Sequence, residues 1–174
     1  MQFLELFDGH NYPWMTMALA SAAGVALALV AHSLLFAMLR RLTKVSVIAG
    51  TPVEYIAAPA RVALPLIALH VVVAAAPDEL RLVGSGREIT ALLLIGVLTW
   101  LGVRAVAGLA GAVIRLHPAN VGDNLHARQI QTQTRVLART LMIFIIFIGA
   151  GSALMAFPAM RQIGTSLLAS AGVA

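Results

Sequence analysis

The chain contains no cysteine, which excludes a disulfide framework and any thiolate-held metal and leaves the redox compartment without a signal. Charge is scarce as well: 11% of residues are Asp, Glu, Lys or Arg against 60% hydrophobic, a balance outside that of soluble globular proteins. No HExxH or GxSxG motif occurs, no Gly-rich loop follows a strand, and no carboxylate pair lies inside an apolar run, so catalysis in the membrane finds no support and the chain reads as a non-enzyme. Nor does any stretch alternate polar and apolar residues over the about ten positions of a membrane β-strand. There is no internal repeat, no low-complexity tract and no polar domain longer than a loop.

What remains is apolar sequence interrupted by arginine. Net charge is +5, which in a soluble chain would suggest nucleic acid. Here the basic residues stand between apolar runs instead of clustering, so they read as topology signals and no nucleic-acid partner is expected. The opening residues "MQFLELFDGHNYPW" hold no Lys or Arg, and the run behind them exceeds a signal-peptide core, so the first apolar segment reads as a retained helix rather than a cleaved leader.

Four apolar runs, 14–39, 56–76, 89–114 and 137–157, each approach the roughly 20 residues that cross a bilayer as a helix. Turn signals around Pro52, Pro77, Pro118 and Pro158 separate them. The expected fold is an all-α integral membrane bundle of four full transmembrane helices plus the start of a fifth. The 40–58 connection carries Arg40, Arg41 and Lys44, and the 115–139 connection carries Arg115, Arg128, Arg135 and Arg139, so both read as cytoplasmic. The 77–88 connection sets Arg81 and Arg87 against Asp78, Glu79 and Glu88 and reads as external, as do the short "FPAMRQ" turn and the N-terminus.

Within the runs lie His32, Arg61, His70 and Arg104, and ionisable groups at membrane depth are functional suspects. Arg61 reads as a headgroup anchor close to the entry of its helix. Arg104, about 15 Å of helix from Arg115, is too deep for that. It should face other helices and find a polar partner, His70 or Glu54 by depth, either structurally or as part of a conducting mechanism. His32 and His70 on neighbouring helices are what an axially held haem would need, although a hydrogen-bonded neutral histidine is the commoner case and no cofactor is expected. Arg128, Arg135 and Arg139, spaced by seven and four, form a basic stripe on one helical face, read as positive-inside flanking or as a lipid-headgroup contact.

The last segment is nearly all small. Gly164, Ala169, Ala171, Gly172 and Ala174 leave little side-chain bulk, which in lipid permits close backbone approach. Together with "RQIQTQTRVLART" and the "FP" turn, "GTSLLASAGVA" resembles the stretch around the last two membrane helices of the MscS family of mechanosensitive channels. The resemblance covers residues 128–174, about a quarter of the chain. It implies three parts: sensor helices in 1–120, a basic lead-in and lipid-facing helix in 121–161, and the start of a Gly/Ala-rich pore helix in 162–174. It further implies a homo-oligomer, heptameric in that family, embedded in the lipid bilayer of a bacterial inner membrane and opening under tension to pass ions and small osmolytes in osmotic regulation. Family members continue the pore helix into a cytoplasmic domain, so the chain reads as the membrane portion of a longer channel, ending before the pore constriction. The competing classes are a secondary transporter, which would favour broken helices, and a haem-binding membrane protein.

The Lys/Arg asymmetry makes a first testable statement. A cysteine introduced at Ser85 should react with an impermeant thiol reagent added outside intact cells. Labelling only after the cells are opened would invert the whole topology.

Overall fold

In a computed structural model, described for residues 13–43, 46–77, 83–117, 125–157, 165–167, 169–170 and 172, every element is helical. The four long helices are α1 (Pro13–Thr43), α2 (Val47–Ala75), α3 (Val83–Leu116) and α4 (Leu125–Met155). Each is long and apolar enough to cross a membrane. No strand occurs among the described residues. The chain is a multi-pass α-helical membrane protein.

The helices outrun the apolar stretches. With 31, 29, 34 and 31 residues they extend well past the thickness of hydrocarbon, because about 30 Å is covered by roughly 20 residues at 1.5 Å each. Apolar composition marks only the buried part of a helix, whereas hydrogen bonding carries the helix on through polar ends. The 40–58 connection therefore shrinks to a turn: Ser46 N-caps α2, its hydroxyl accepting from the Ala49 amide at 3.4 Å, and its own amide donates to Thr43 O at 3.1 Å. Pro52, expected in a turn, lies inside α2. It forfeits only the bond to the carbonyl four residues earlier, and it packs against Gly108 of α3.

The other ends have identifiable stops. α2 ends at Ala75, and its C-cap Ala76 is extended at φ −69° and ψ 147°, as a residue preceding proline favours. The Arg87 guanidinium of α3 reaches back to its last carbonyls, Nη2 donating to Ala76 O at 2.6 Å and Nε to Val73 O at 3.2 Å. α3 ends at Leu116, and Gln131 of α4 donates to His117 O at 2.7 Å. Arg87, expected as part of an external loop, is thus a capping group on α3, and the 77–88 connection narrows to the residues before Val83. Likewise α4 begins at Leu125, so most of the expected 115–139 connection is helix.

The bundle is an open row. Backbones approach within 8 Å only between α1 and α2, α2 and α3, and α3 and α4 among the described helices. Successive hairpins stack side by side, and no contact closes the ring. Small residues set each approach. On α3, a Cβ added at Gly108 would stand 2.8 Å from Pro52 Cα and 3.0 Å from Tyr55 Cβ. One turn on, Ala112 is buried as well, so Gly108 and Ala112 form a small-xxx-small pair against α2. Between α3 and α4, Gly149 faces Thr99 so closely that a Cβ would collide with that side chain, and Gly102 faces Ile145.

Gly108→Val should therefore weaken the α2–α3 hairpin. Backbone, not a flexible side-chain end, stands in the way of the new Cβ, so a loss of about 1–3 kcal/mol is expected from overpacking. A detergent-solubilised sample should show a lower denaturation midpoint than the parent. An unchanged midpoint would mean that the two backbones do not meet there.

Candidate functional site

Three groups of residues are candidates: the ionisable side chains at depth, the basic stripe, and the small-residue segment. The first is built on antiparallel register. Gly86 faces Val73, Arg104 lies against Tyr55, and Gly108 meets Pro52, so α2 and α3 stay in step along their whole contact.

Arg104 does not pair with His70 or Glu54. Its Nε donates to Tyr55 O at 3.3 Å, and its guanidinium carbon lies 4.7 Å from the centroid of the Tyr55 ring. One residue therefore meets the cation twice, with a backbone oxygen and with an aromatic face. Glu54, next to it in sequence, is exposed. Depth alone could not distinguish positions 54 and 55, which differ by about 100° around the helix.

His70 is committed elsewhere. Its Nδ1 lies 2.8 Å from Thr90 Oγ1, and that hydroxyl also reaches Gly86 O at 2.8 Å. With one proton on the hydroxyl, the pair fixes the ring at the α2–α3 interface, with donor and acceptor set by the tautomer. His32 is buried on α1, stacked on Phe36 with ring centroids 4.4 Å apart, and its Nδ1 has no hydrogen-bond partner. The two histidines do not share a level. Gly24 faces Ala68 and Val72, so His70 stands beside Gly24 while His32 is roughly eight residues, about 12 Å, further along α1. One haem iron cannot take an axial ligand from each in this arrangement.

Arg61 is not at the entry of its helix, because α2 begins at Val47 rather than near residue 56. It stands about 21 Å along α2, slightly further from a helix end than Arg104, which is about 18 Å from Leu116. It is exposed and has no hydrogen bond or ion pair among the described residues. Because α2 runs on past the apolar stretch that begins near residue 56, the headgroup-anchoring reading of Arg61 rests on the start of that stretch and not on the helix end.

The basic stripe falls on one continuous helix. Arg128, Arg135 and Arg139 all lie on α4 and are all exposed, and none forms an ion pair among the described residues. Beyond them α4 shows Leu141, Ile143, Phe144, Ile146, Phe147 and Ile148 outward, between 38% and 61% exposed, an apolar surface for acyl chains. Of the small-residue segment, Ala169 and Gly172 are exposed, and a Cβ added at Gly172 would meet nothing within 4 Å. Gly164, Ala171 and Ala174 lie outside the described residues.

Several contributors were not singled out in the sequence: Tyr55, Thr90, Arg87, Gln131 and the pair Gly108 and Ala112. The last had a visible signal, since "GLAGA" at 108–112 places small residues four apart inside an apolar run. Gln131 sits in the "QTQTR" stretch but serves as a cap. No protein family, curated protein or solved structure matches the chain.

Removing the Arg87 cap should cost about 1–3 kcal/mol, because Ala76 O loses its donor while Val73 O keeps only the long bond from the Ala76 amide. Arg87→Ala should lower the denaturation midpoint and speed amide exchange in the last turn of α2, while Arg87→Lys should recover part of the loss. Exchange rates equal to the parent would show that water caps that turn.

Proposed function

We propose that the protein is a subunit of a mechanosensitive channel that opens under membrane tension and passes ions and small osmolytes. It would assemble as a homo-oligomer, heptameric by resemblance to the MscS family, in a bacterial plasma membrane with its N-terminus outside and the α1–α2 and α3–α4 turns in the cytoplasm. The observation that carries the reading is the pair of exposed small residues Ala169 and Gly172, which follow a row of apolar helices long enough to cross a membrane. Ala169 and Gly172 are exposed, and a Cβ added at Gly172 would meet nothing within 4 Å. In lipid such a surface gains from close packing against another helix, and a further copy of the chain presents the same surface.

The rest of the row supports the same reading. Tension does work in proportion to the membrane area that a protein gains, so a sensor requires broad contact with acyl chains. A closed bundle hides the inner face of each helix, whereas a row with contacts only between neighbours leaves both broad sides to lipid. α4, which leads into the small-residue segment, joins an apolar outer face to Arg128, Arg135 and Arg139, a pattern suited to headgroup phosphates above and acyl chains beside. No observation favours the transporter or haem readings: α1–α4 are each continuous, and His32 and His70 stand at different levels.

Gly172→Val tests it. One branched side chain adds little difficulty to insertion, but repeated around a ring it separates every pair of adjacent helices. Patch recording under graded suction should give a shifted tension threshold with an unchanged amount of protein in the membrane. A threshold equal to the parent's would remove Gly172 from the subunit contact and with it the main support for a pore helix at 162–174.

A further inference from the structure

We propose that Arg104 is a latch on a proline hinge in α2: its side chain fills the hydrogen bond that Pro59 leaves open, so that α2 and α3 are held as one body. In an α-helix the amide of residue 59 would donate to the carbonyl of residue 55. Pro59 has no amide hydrogen. The carbonyl left without its donor is Tyr55 O, and this is the oxygen that Arg104 Nε reaches at 3.3 Å. Pro59 is fully buried, so water has no approach to the gap from its side. The donor must come from protein, and a guanidinium on the neighbouring helix supplies it with charge assistance.

Three prolines interrupt α2, at 52, 59 and 65, and they leave open the carbonyls of Ile48, Tyr55 and Arg61. Of these three, the Tyr55 carbonyl is the one shown receiving a side-chain donor from another helix. The arginine is also held from its own side. Its guanidinium lies on the Tyr55 ring, and one turn along α3 Gly108 brings the backbone against Pro52 and Tyr55. Arg104 is thus a positioning residue, placed by ring and glycine at the one carbonyl that the central proline exposes. A proline without its compensating donor is a point of flexure. With the donor in place, bending α2 at 55–59 requires breaking a charge-assisted bond to α3.

A charge that merely needs any acceptor would behave differently. In that case removing it changes stability by the same factor whatever residue 59 is. For a latch, restoring the amide at 59 makes the arginine dispensable, and the two changes are coupled. The test is a double-mutant cycle on the full chain in mixed micelles, using reversible detergent denaturation of the parent, Arg104→Leu, Pro59→Ala and the double variant. Arg104→Leu alone should lower the folding equilibrium constant about tenfold, equivalent to about 1.4 kcal/mol. Added to Pro59→Ala, it should lower it less than threefold. Equal losses in the two backgrounds overturn the latch.

Should Arg104→Leu give no folded protein, amide exchange across residues 55–60 in Arg104→Lys replaces it. Faster exchange than in the parent, abolished when Pro59→Ala is present, supports the latch, and equal acceleration in both backgrounds overturns it. The coupling does not depend on the channel reading, but a consequence for opening does: Arg104→Leu should shift the tension threshold and Pro59→Ala should restore it. A silent membrane patch with the stability coupling intact overturns the channel reading only. A threshold shift that Pro59→Ala leaves untouched, with the stability coupling absent, overturns the latch.

Discussion

A peptide group inside hydrocarbon has no water to fall back on, and this chain is organised by where its backbone bonds would otherwise fail. α2 carries three prolines and ends at a fourth, Pro77, so its carbonyls are the weak points. Two arginines of α3 attend to them. Arg104 reaches Tyr55 O in the interior, and Arg87 reaches Val73 O and Ala76 O at the end. Both lie on one helix and reach the same neighbour, which explains how Arg104 is retained in a span where a central guanidinium costs about 2.5–3.5 kcal/mol to insert. Their planar, multiply donating heads serve carbonyls in a way that a lysine ammonium on a flexible stem matches less well.

The same requirement shapes the packing. For a side chain on α3 to reach a backbone oxygen on α2, the helices must lie close, and Gly108 permits that approach while Pro52 and Tyr55 fill the space a Cβ would need. Small residues and arginine are therefore two halves of one contact. The α3–α4 contact is built differently. Gly102 and Gly149 bring the backbones together against Ile145 and Thr99; an open cleft of about 280 Å³ borders that contact from Ile95 to Ser152, and another of about 220 Å³ lies toward Val113 and Thr134. Both are lined mainly by aliphatic side chains, so dispersion is what they forgo.

Much of the architecture was legible in the sequence, because lipid makes the signal simple: an apolar run of sufficient length has no stable alternative to a helix. Number, order and class of the spans followed from the runs alone. The ends did not. Pro52 and the polar stretch from 125 to 136 look like connections, yet a helix tolerates one missing bond near its start, as at Pro52 in α2, and the Gln/Thr-rich start of α4 has its bonds whatever its side chains. Register was hidden too. Arg104 was marked as a charge in need of a partner, but choosing Tyr55 over Glu54 or His70 requires knowing which face of α2 meets α3, and a near-uniformly apolar span has no polar side to reveal it. The proline that makes Tyr55 O available was in plain view at residue 59, and only the pairing gives it meaning.

Two interfaces of unlike construction in one row have a mechanical consequence. The α2–α3 contact is held by directional bonds to backbone and by a glycine against a proline, so sliding the helices by even a fraction of a turn breaks them. The α3–α4 contact has one such bond, from Gln131 to His117 O at its end, and a close glycine contact of Gly149 with Thr99; elsewhere it rests on apolar surfaces beside open clefts. On the channel reading, a lateral pull on the row moves α2 and α3 together, and the α3–α4 contact, which has fewer directional bonds, yields first. α4 is also the helix that leads into the small-residue segment and carries the exposed arginines. On the channel reading, the compliant joint then lies next to the helix at which area change must be converted into pore opening, and the stiff hairpin acts as the lever arm that delivers it.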